Sequence, residues 1–388
     1  MPAGRGNEEE DNLRTSTRLV AVLGGALFIA SACGGAAATP SPTVAPTVAP
    51  TTAPTEAPTA APTAAPVNYK ACMVTDTAGI NDKSFNTNAW KGLTDAQAKF
   101  GIGVKYLESR SDADYAKNIN QFLSEKCNII VSVGFLLGDA TAAAAKANPD
   151  TRFAIVDFAY DPAIPNVEGL VYSTNEAAML VGYASASWSK THVMGTFGGK
   201  NIGGPVTDFM DGFVAGAHYY DSAKATTTKV LGWDPVKKEG SFTGNFSSID
   251  DGKTLSLGFL DENADVCLGV GGAIGQGCMA AIQERGITGV GLGVDVDWYI
   301  SVPQYKSLIL TSILKKIDVS VTAAIEHAFT GVPAAPVYVS TLKNDGVGIA
   351  EFHDYDSQIS ADTKTELDAL KADIISGKVV VSDWFAAK

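Results

Sequence analysis

The sequence of 388 residues has little of what most enzymes depend on. It contains 4 histidines and 5 cysteines, and no two histidines are at a spacing that binds a metal. The motifs GxxxxGK[ST], HExxH, GxSxG and CxxC are absent. The sequence therefore gives no sign of the phosphate-binding, zinc-binding and nucleophile sites that these motifs form. We therefore expect no catalytic residue, no metal and no cofactor.

Basic residues are also in the minority. Lys and Arg number 29 against 42 Asp and Glu, which gives a formal net charge of −13, and no run is rich in Lys or Arg. Because binding to a nucleic-acid backbone requires clustered positive charge, nucleic acid is excluded as a partner.

Cysteine is too scarce for a disulfide scaffold of this length. Cys72, Cys127 and Cys267 lie in or beside apolar runs that predict strands, and Cys278 lies in a predicted helix. These positions predict buried free thiols. A Cys267–Cys278 disulfide is the alternative if the protein resides in an oxidising compartment.

The amino-terminal apolar run is too short to span a membrane. Leu19–Ala30 has twelve residues and follows two arginines, and Ser-Ala separates it from Cys33 and two glycines, which is typical of a signal peptide. Small residues before a cysteine resemble the lipobox of bacterial lipoproteins, although Ala30 stands where leucine is usual. We predict a signal peptide over 1–32 and a lipidated Cys33, with ordinary cleavage after Ala32 as the alternative.

A proline-rich segment follows Cys33. Between residues 40 and 66, proline recurs every fourth residue from Pro42 to Pro66, with one charged residue and no aromatic residue. Such a composition buries too little apolar surface to fold, and 27 residues in an extended proline-rich conformation reach roughly 80 Å. We predict a tether over 33–66 that holds an extracytoplasmic body on a lipid anchor in the cell membrane.

From residue 67 onwards, short apolar runs alternate with helical patterns. Asn128–Val133 and Phe153–Val156 are largely apolar runs, as in strands buried on both faces, whereas Ser84–Phe100 and Asp114–Lys126 have apolar residues at helical spacing. A second series of alternating helical and strand patterns begins at Ala177. The pattern predicts an α/β protein with two doubly wound lobes, whose ligand binds beyond the carboxyl ends of the strands.

Aspartates follow several of these predicted strands. Asp76 and Asp157 do so in the first series and Asp295 in the second. A single aspartate at such a position is more often a helix cap or part of a turn, but three of them with aromatic residues nearby favour a binding cleft. An enzyme that used carboxylates with a metal would need them clustered at one strand end, and these belong to different strands.

Several motifs in the body resemble the basic membrane protein (BMP) lipoproteins, substrate-binding proteins of ABC transporters that include purine nucleoside receptors. The first is Asp76 with Asp82-Lys-Ser-Phe-Asn86. Others follow in the same order at Ser111–Tyr115, Val133–Phe135, Phe153–Asp157, Phe209–Phe213, Gly291–Asp297 and Leu310–Lys315. The resemblance implies a type I periplasmic binding protein, in which two Rossmann-like lobes are joined by three crossovers and the ligand lies in the interlobe cleft.

The same resemblance implies lobe limits and partners. Lobe one comprises 67–175 plus 307–331, and lobe two comprises 176–306 plus 332–388. The expected partners are a small-molecule ligand, an ABC permease that receives it, and the membrane through the lipid anchor. The protein is expected to be a monomer.

In nucleoside-binding members of the family, two aromatic rings enclose the purine while carboxylates and a lysine bind its edge and the ribose. Carried onto this chain, the rings are Phe85 and Phe246, with Phe242 and Phe209 as alternatives to the second. The full predicted ligand-binding set is Asp76, Asp82, Phe85, Asn86, Phe135, Asp157, Phe246, Gly272, Asp295 and Lys315.

One departure leaves the ligand open. Trp298 and Tyr299 follow the Gly-Val-Asp motif, where many nucleoside binders have a glutamine. A different planar solute such as a flavin is therefore an alternative ligand. A receptor whose lobe closure is sensed by a membrane partner is an alternative function.

Overall fold

The computed structural model describes residues 68–388. The predicted signal peptide, Cys33 and the proline-rich tether lie outside these residues. Of the helices in 68–388, none combines the length and the apolar character needed to cross a bilayer.

Strands and helices alternate through the first part of the body, as the apolar pattern predicts. In chain order the elements are β1 (Lys70–Val74), α1 (Phe85–Phe100), β2 (Gly103–Leu107), α2 (Asp114–Ser124), β3 (Ile129–Val133), α3 (Gly138–Ala147), β4 (Arg152–Val156) and β5 (Val167–Tyr172). A short 3₁₀ turn, Phe135–Leu137, precedes α3.

The alternation then repeats. The second series is α4 (Thr174–Trp188), β6 (Val193–Gly198), α5 (Gly204–Lys224), β7 (Lys229–Leu231), β8 (Trp233–Asp234), β9 (Glu239–Gly240), α6 (Ile249–Asp261), β10 (Val266–Val270), α7 (Gln276–Arg285), β11 (Val290–Asp295), α8 (Trp298–Ser301) and β12 (Ile309–Lys315). The last elements are α9 (Ile317–Thr330), β13 (Val337–Ser340), β14 (Val347–Ile349) and α10 (Ala361–Ile375).

Twelve of these strands form two six-stranded sheets, and β8 pairs with β9 in a separate antiparallel two-stranded sheet. The first large sheet has the order β13-β5-β4-β3-β1-β2, and the second has the order β14-β12-β11-β10-β6-β7. Within these two sheets, all pairs are parallel except β12 with β14. Strands β3 and β10 are buried throughout, as expected for parallel sheets that helices cover on both faces. The predicted α/β fold with two Rossmann-like lobes is confirmed.

The chain crosses between the lobes three times. It leaves the first sheet after Tyr172, returns between Lys315 and Ile317, and leaves again after Ser340. Lobe one therefore comprises 68–172 and 317–340, and lobe two comprises 174–315 and 341–388.

Two limits differ from the predicted ones. The segment 307–331 was assigned to lobe one, but β12 pairs with β11 in the second sheet. Lobe one also extends beyond residue 331, because β13 pairs with β5. Both are short apolar strands, and apolar periodicity identifies a strand without indicating which sheet it joins.

Two disulfides join the cysteines of the body. Cys72 in β1 is bonded to Cys127, just before β3, and Cys267 in β10 is bonded to Cys278 in α7. The prediction of free thiols is therefore wrong, and the alternative Cys267–Cys278 pair is present. Cys72 and Cys127 are 55 residues apart in sequence, and they meet because β1 and β3 are neighbours in the sheet.

The two disulfides should differ in their contribution to stability. A cross-link restricts the unfolded chain more when it closes a longer loop, and the separations are 55 and 11 residues. We expect replacement of Cys72 and Cys127 by alanine to lower the free energy of unfolding by about 2–4 kcal/mol, measured by urea denaturation.

Replacement of Cys267 and Cys278 by alanine is the matched control, since all four sulfurs are buried. It should lower stability less than the first pair. Unreduced, denatured wild-type protein in which all four cysteines of the body react with a thiol reagent would contradict the assignment.

Candidate ligand-binding site

A cavity of about 560 Å³, counting the open space at its mouth, lies between the two lobes. Nine of the ten predicted ligand-binding residues line it: Asp76, Asp82, Phe85, Phe135, Asp157, Phe246, Gly272, Asp295 and Lys315. Asn86 does not line it and lies behind Asp76.

The strand ends that meet here share an unusual backbone conformation. Asp157 directly follows β4, and Asp295 ends β11. Both have a φ of 68°, in the left-handed region that aspartate tolerates better than most residues. Gly134 after β3 and Gly271 after β10 also have positive φ, 118° and 137°. A side chain at Gly271 would lie 2.7 Å from the ring of Phe246, so glycine lets this ring lie against the strand end.

Lys315 and Asp157 form an ion pair across the lobes. The Lys315 Nζ lies 2.7 Å from each carboxylate oxygen of Asp157, and the two side chains are 2% and 8% exposed. The rings of Tyr172, Phe85 and Phe209 surround the ammonium at 4.8, 5.0 and 5.6 Å, which adds cation–π attraction. Burial raises the pKa of Asp157, and the Lys315 charge opposes that rise.

The resemblance implied that Asp157 and Lys315 both contact the ligand, and it did not imply that they pair with each other. In the structure both oxygens of Asp157 face Lys315. Lys315 also lies close enough to Asp295 for its charge to oppose the rise of the Asp295 pKa.

Asp76 retains a free acceptor. Its Oδ1 accepts hydrogen bonds from the backbone N–H of Ala78 at 2.9 Å and the Asn86 amide at 2.7 Å. Its Oδ2 has no donor among residues 68–388 and lies at the cavity. Burial raises the pKa of Asp76 to about 6, although both hydrogen bonds oppose the rise. Asn86 thus orients Asp76 from behind.

Asp82 is occupied by the protein itself. Its two oxygens accept from the backbone N–H groups of Ser84, Asn86 and Thr87 at 2.7–3.0 Å and from the side chains of Asn86 and Thr87. These bonds satisfy donors at the start of α1, which is the usual role of an aspartate there. Asp82 therefore holds the first turn of α1 at the cavity wall.

Asp295 is held by a residue of the opposite lobe. Its Oδ2 accepts a hydrogen bond of 2.6 Å from the Ser84 hydroxyl. Burial raises the pKa of Asp295 to about 6, with the Lys315 charge and the Ser84 bond opposing the rise. Ser84 was not among the predicted site residues, because a serine at a helix start indicates only a cap.

The aromatic residues line the cavity from both lobes. Phe85 begins α1 and is half-buried, and Phe246 of lobe two is 8% exposed. Phe209, an alternative for the second ring, also lies in the wall. Phe242, the other alternative, does not, and packs edge-on against Trp233.

The sequence did not predict the apolar part of the cavity wall. Ile202, Pro205 and Val206, at and before the start of α5, line the cavity with Leu136. An apolar residue at a helix start has the same sequence signature as a core residue, so nothing in the pattern distinguished them.

The side chains suit a flat ligand with several hydrogen-bond donors. The wall contains four carboxylates and one ammonium, and the ammonium is already paired. Within 68–388, no three His, Cys, Asp or Glu side chains are grouped so as to hold a metal ion.

Comparison with known proteins agrees with this geometry. The family model of PnrA-like ABC transporter substrate-binding proteins (Bmp) matches residues 69–383. The "ABC transporter nucleoside-binding protein BmpA" of Lactococcus lactis is 31% identical over 80% of this chain and 88% of its own. "Basic membrane protein A" of Borreliella burgdorferi is 27% identical over 78% and 84%.

A solved structure shares the fold. An ABC transporter solute-binding protein from Aeropyrum pernix superposes with a TM-score of 0.72 at 25% identity, over 80% of this chain and 92% of that one.

The Lys315–Asp157 pair should be necessary for stability. Removing one partner leaves an unpaired buried charge, so we expect Lys315→Met to lower the free energy of unfolding by about 3–5 kcal/mol, measured by urea denaturation. The double variant Lys315→Met with Asp157→Asn should recover part of the loss. Asparagine is chosen because it tolerates the positive φ of this position.

Lys229→Met is the control, because the Lys229–Glu262 pair is solvent-exposed and such pairs contribute little. A double variant that is no more stable than Lys315→Met alone would argue against an unpaired charge as the cause.

Proposed function

Because this chain belongs to the family of PnrA-like ABC transporter substrate-binding proteins, we propose that it captures a purine nucleoside and delivers it to a membrane permease. The observation that carries the choice of ligand is the composition of the interlobe cavity. Phe85 and Phe246 supply aromatic rings from opposite lobes, while Asp76 and Asp295 each have an oxygen without a protein donor in 68–388.

A nucleoside matches each of these features. Its base has two π faces, and stacking of a base on an aromatic side chain contributes about 1–3 kcal/mol. Its N–H groups and ribose hydroxyls are donors that the free oxygens of Asp76 and Asp295 can accept, and hydrogen bonds to charged acceptors are about twice as strong as neutral ones. The nucleoside-binding relative from Lactococcus lactis supports the same ligand class.

The structure removes the sequence-based reason for considering a flavin as the ligand. It was based on Trp298 and Tyr299, but neither residue lines the cavity. The Trp298 indole is buried and donates to the backbone of Val294, and Tyr299 stacks on His353. The departure from the family pattern therefore lies outside the cavity that we propose as the ligand site.

We also propose that the protein acts outside the cytoplasm on a lipid anchor. The predicted signal peptide, Cys33 and the predicted tether support this, as does a relative from Pyrococcus horikoshii named as a lipoprotein. Two disulfides in the body agree with it, because disulfides persist mainly in oxidising compartments.

Ligand binding tests the proposal directly. We expect Phe85→Ala to weaken binding of a purine nucleoside by about 1–3 kcal/mol with little change in base preference, because every base has a π face. Asp295→Asn should reduce the preference for the nucleoside over its free base, since a site built to bind hydroxyl groups rejects analogues that lack them. Isothermal calorimetry measures both.

Phe242→Ala is the matched control, as this ring lies in lobe two but outside the cavity. If wild-type protein binds no purine nucleoside, the proposed ligand is wrong. If Asp295→Asn leaves the ratio of the two affinities unchanged, the role given to Asp295 is wrong.

Anchoring is tested by fractionation of cells that express the full chain. Cys33→Ser removes the only thiol that the lipobox offers, so the variant should leave the membrane fraction and appear in the soluble one. Cys33→Ser protein that stays with the membrane, or wild-type protein that is soluble and unlipidated, would contradict the anchor.

A further inference from the structure

We propose that Ser84 is a positioning residue: its hydroxyl, supplied by lobe one, holds the Asp295 carboxylate of lobe two in the orientation that binds the ligand, and does so while the lobes are in contact. The orientation is defined by the ligand that Asp295 would bind, so this inference rests on the proposed function. The hydrogen bond itself is a property of the protein alone.

The geometry of the contact is specific. The Ser84 Oγ lies 2.6 Å from Asp295 Oδ2 and 3.0 Å from the backbone oxygen of Val294. Both acceptors belong to the end of β11, whereas Ser84 lies just before α1. Ser84 is fully buried and Asp295 is 6% exposed, so water does not compete for the hydroxyl.

The position of Ser84 is fixed within its own lobe. Its backbone N–H donates to Asp82 Oδ1 at 3.0 Å, and its carbonyl oxygen accepts from Asn88 at 2.9 Å. Because the backbone is held at both sides, the hydroxyl reaches Asp295 only when lobe two is placed against lobe one. Opening the cleft would break this bond.

Asp295 has little other support. Among residues 68–388, no other donor contacts its carboxylate. The charged groups around it are Lys315 from β12, Asp157 after β4 and Asp82 before α1. The Lys315 ammonium is bound to Asp157, so the Ser84 hydroxyl is the direct contact. Ser84 occupies Oδ2 and leaves Oδ1 for a donor of the ligand.

The consequence is measurable without any ligand. Without the hydroxyl, the buried carboxylate loses the bond that favours its charged form, so the pKa of Asp295 must rise further above about 6. In Ser84→Ala we expect the midpoint of the Asp295 carboxyl ¹³C shift, followed by NMR in ligand-free full-length protein, to move up by about one pH unit. An unchanged midpoint would overturn the proposal.

Ser189→Ala is the matched control. Ser189 also donates a 2.6 Å hydrogen bond to a buried aspartate, Asp265, within lobe two and outside the cavity. It should leave the Asp295 midpoint where it is in the wild type. If Ser189→Ala moves that midpoint as far as Ser84→Ala does, the effect is general and the assignment fails.

Binding of inosine, as a purine nucleoside probe, gives the second readout. A midpoint that moves from about 6 to about 7 lowers the charged fraction of Asp295 at pH 7 from about nine tenths to about one half, so the affinity should fall about twofold. The fall should be smaller at pH 8, where the carboxylate is charged again. A pH-independent loss would indicate a merely structural role and would overturn the positioning role.

A second variant keeps the test independent of whether Ser84→Ala folds. Asp295→Asn cannot ionise and tolerates the positive φ, so its inosine affinity should vary less than that of the wild type between pH 5 and 8, and the variation that remains is assigned to Asp76, whose pKa is also about 6. An undiminished variation would show that Asp295 does not control the profile. If wild-type protein binds no inosine, the proposed function fails, while the ¹³C titration still decides the role of Ser84.

Discussion

The arrangement of the two lobes depends on how one buried positive charge is neutralised. Lys315 is the last residue of β12 and is 1% exposed, so its ammonium requires a partner. The partner is Asp157, at the end of β4 in the other lobe. Because β4 and β12 belong to different sheets, this pairing brings the carboxyl ends of both sheets to one place. The aromatic rings around the ammonium then become the wall of the cavity.

The remaining carboxylates are not neutralised in this way. Asp76 and Asp295 are buried without a cation in contact, and burial raises the pKa of each to about 6. Folding alone would favour neutral residues at both positions. Acids at these two positions are explained if a ligand supplies the missing donors, in which case binding of that ligand would stabilise the folded protein.

Much of the arrangement of strands and site residues could be predicted from the apolar pattern of the sequence. Short apolar runs predicted β1, β3 and β4, and the residues that follow such strands gather at one sheet edge, so Asp76 and Asp157 could be placed near a cleft from the sequence. The sheet to which β12 belongs could not be predicted from the sequence, because its pairing with β11 depends on how the whole sheet is assembled. The Cys72–Cys127 bond and the Ser84–Asp295 contact join residues 55 and 211 positions apart. Local periodicity carries no information about either contact.

The two lobes are built alike but are not equivalent. Strands β4 and β11 occupy the same place in their sheets, and each leads to an aspartate with a φ of 68°. Lys315 pairs with only one of them. Asp157 is therefore neutralised, while Asp295 meets a hydroxyl and keeps its charge available. The free carboxylate of lobe one is instead that of Asp76, after β1. The cavity therefore presents one free acceptor oxygen from each lobe, and the paired Asp157 and Lys315 lie in its wall beside them.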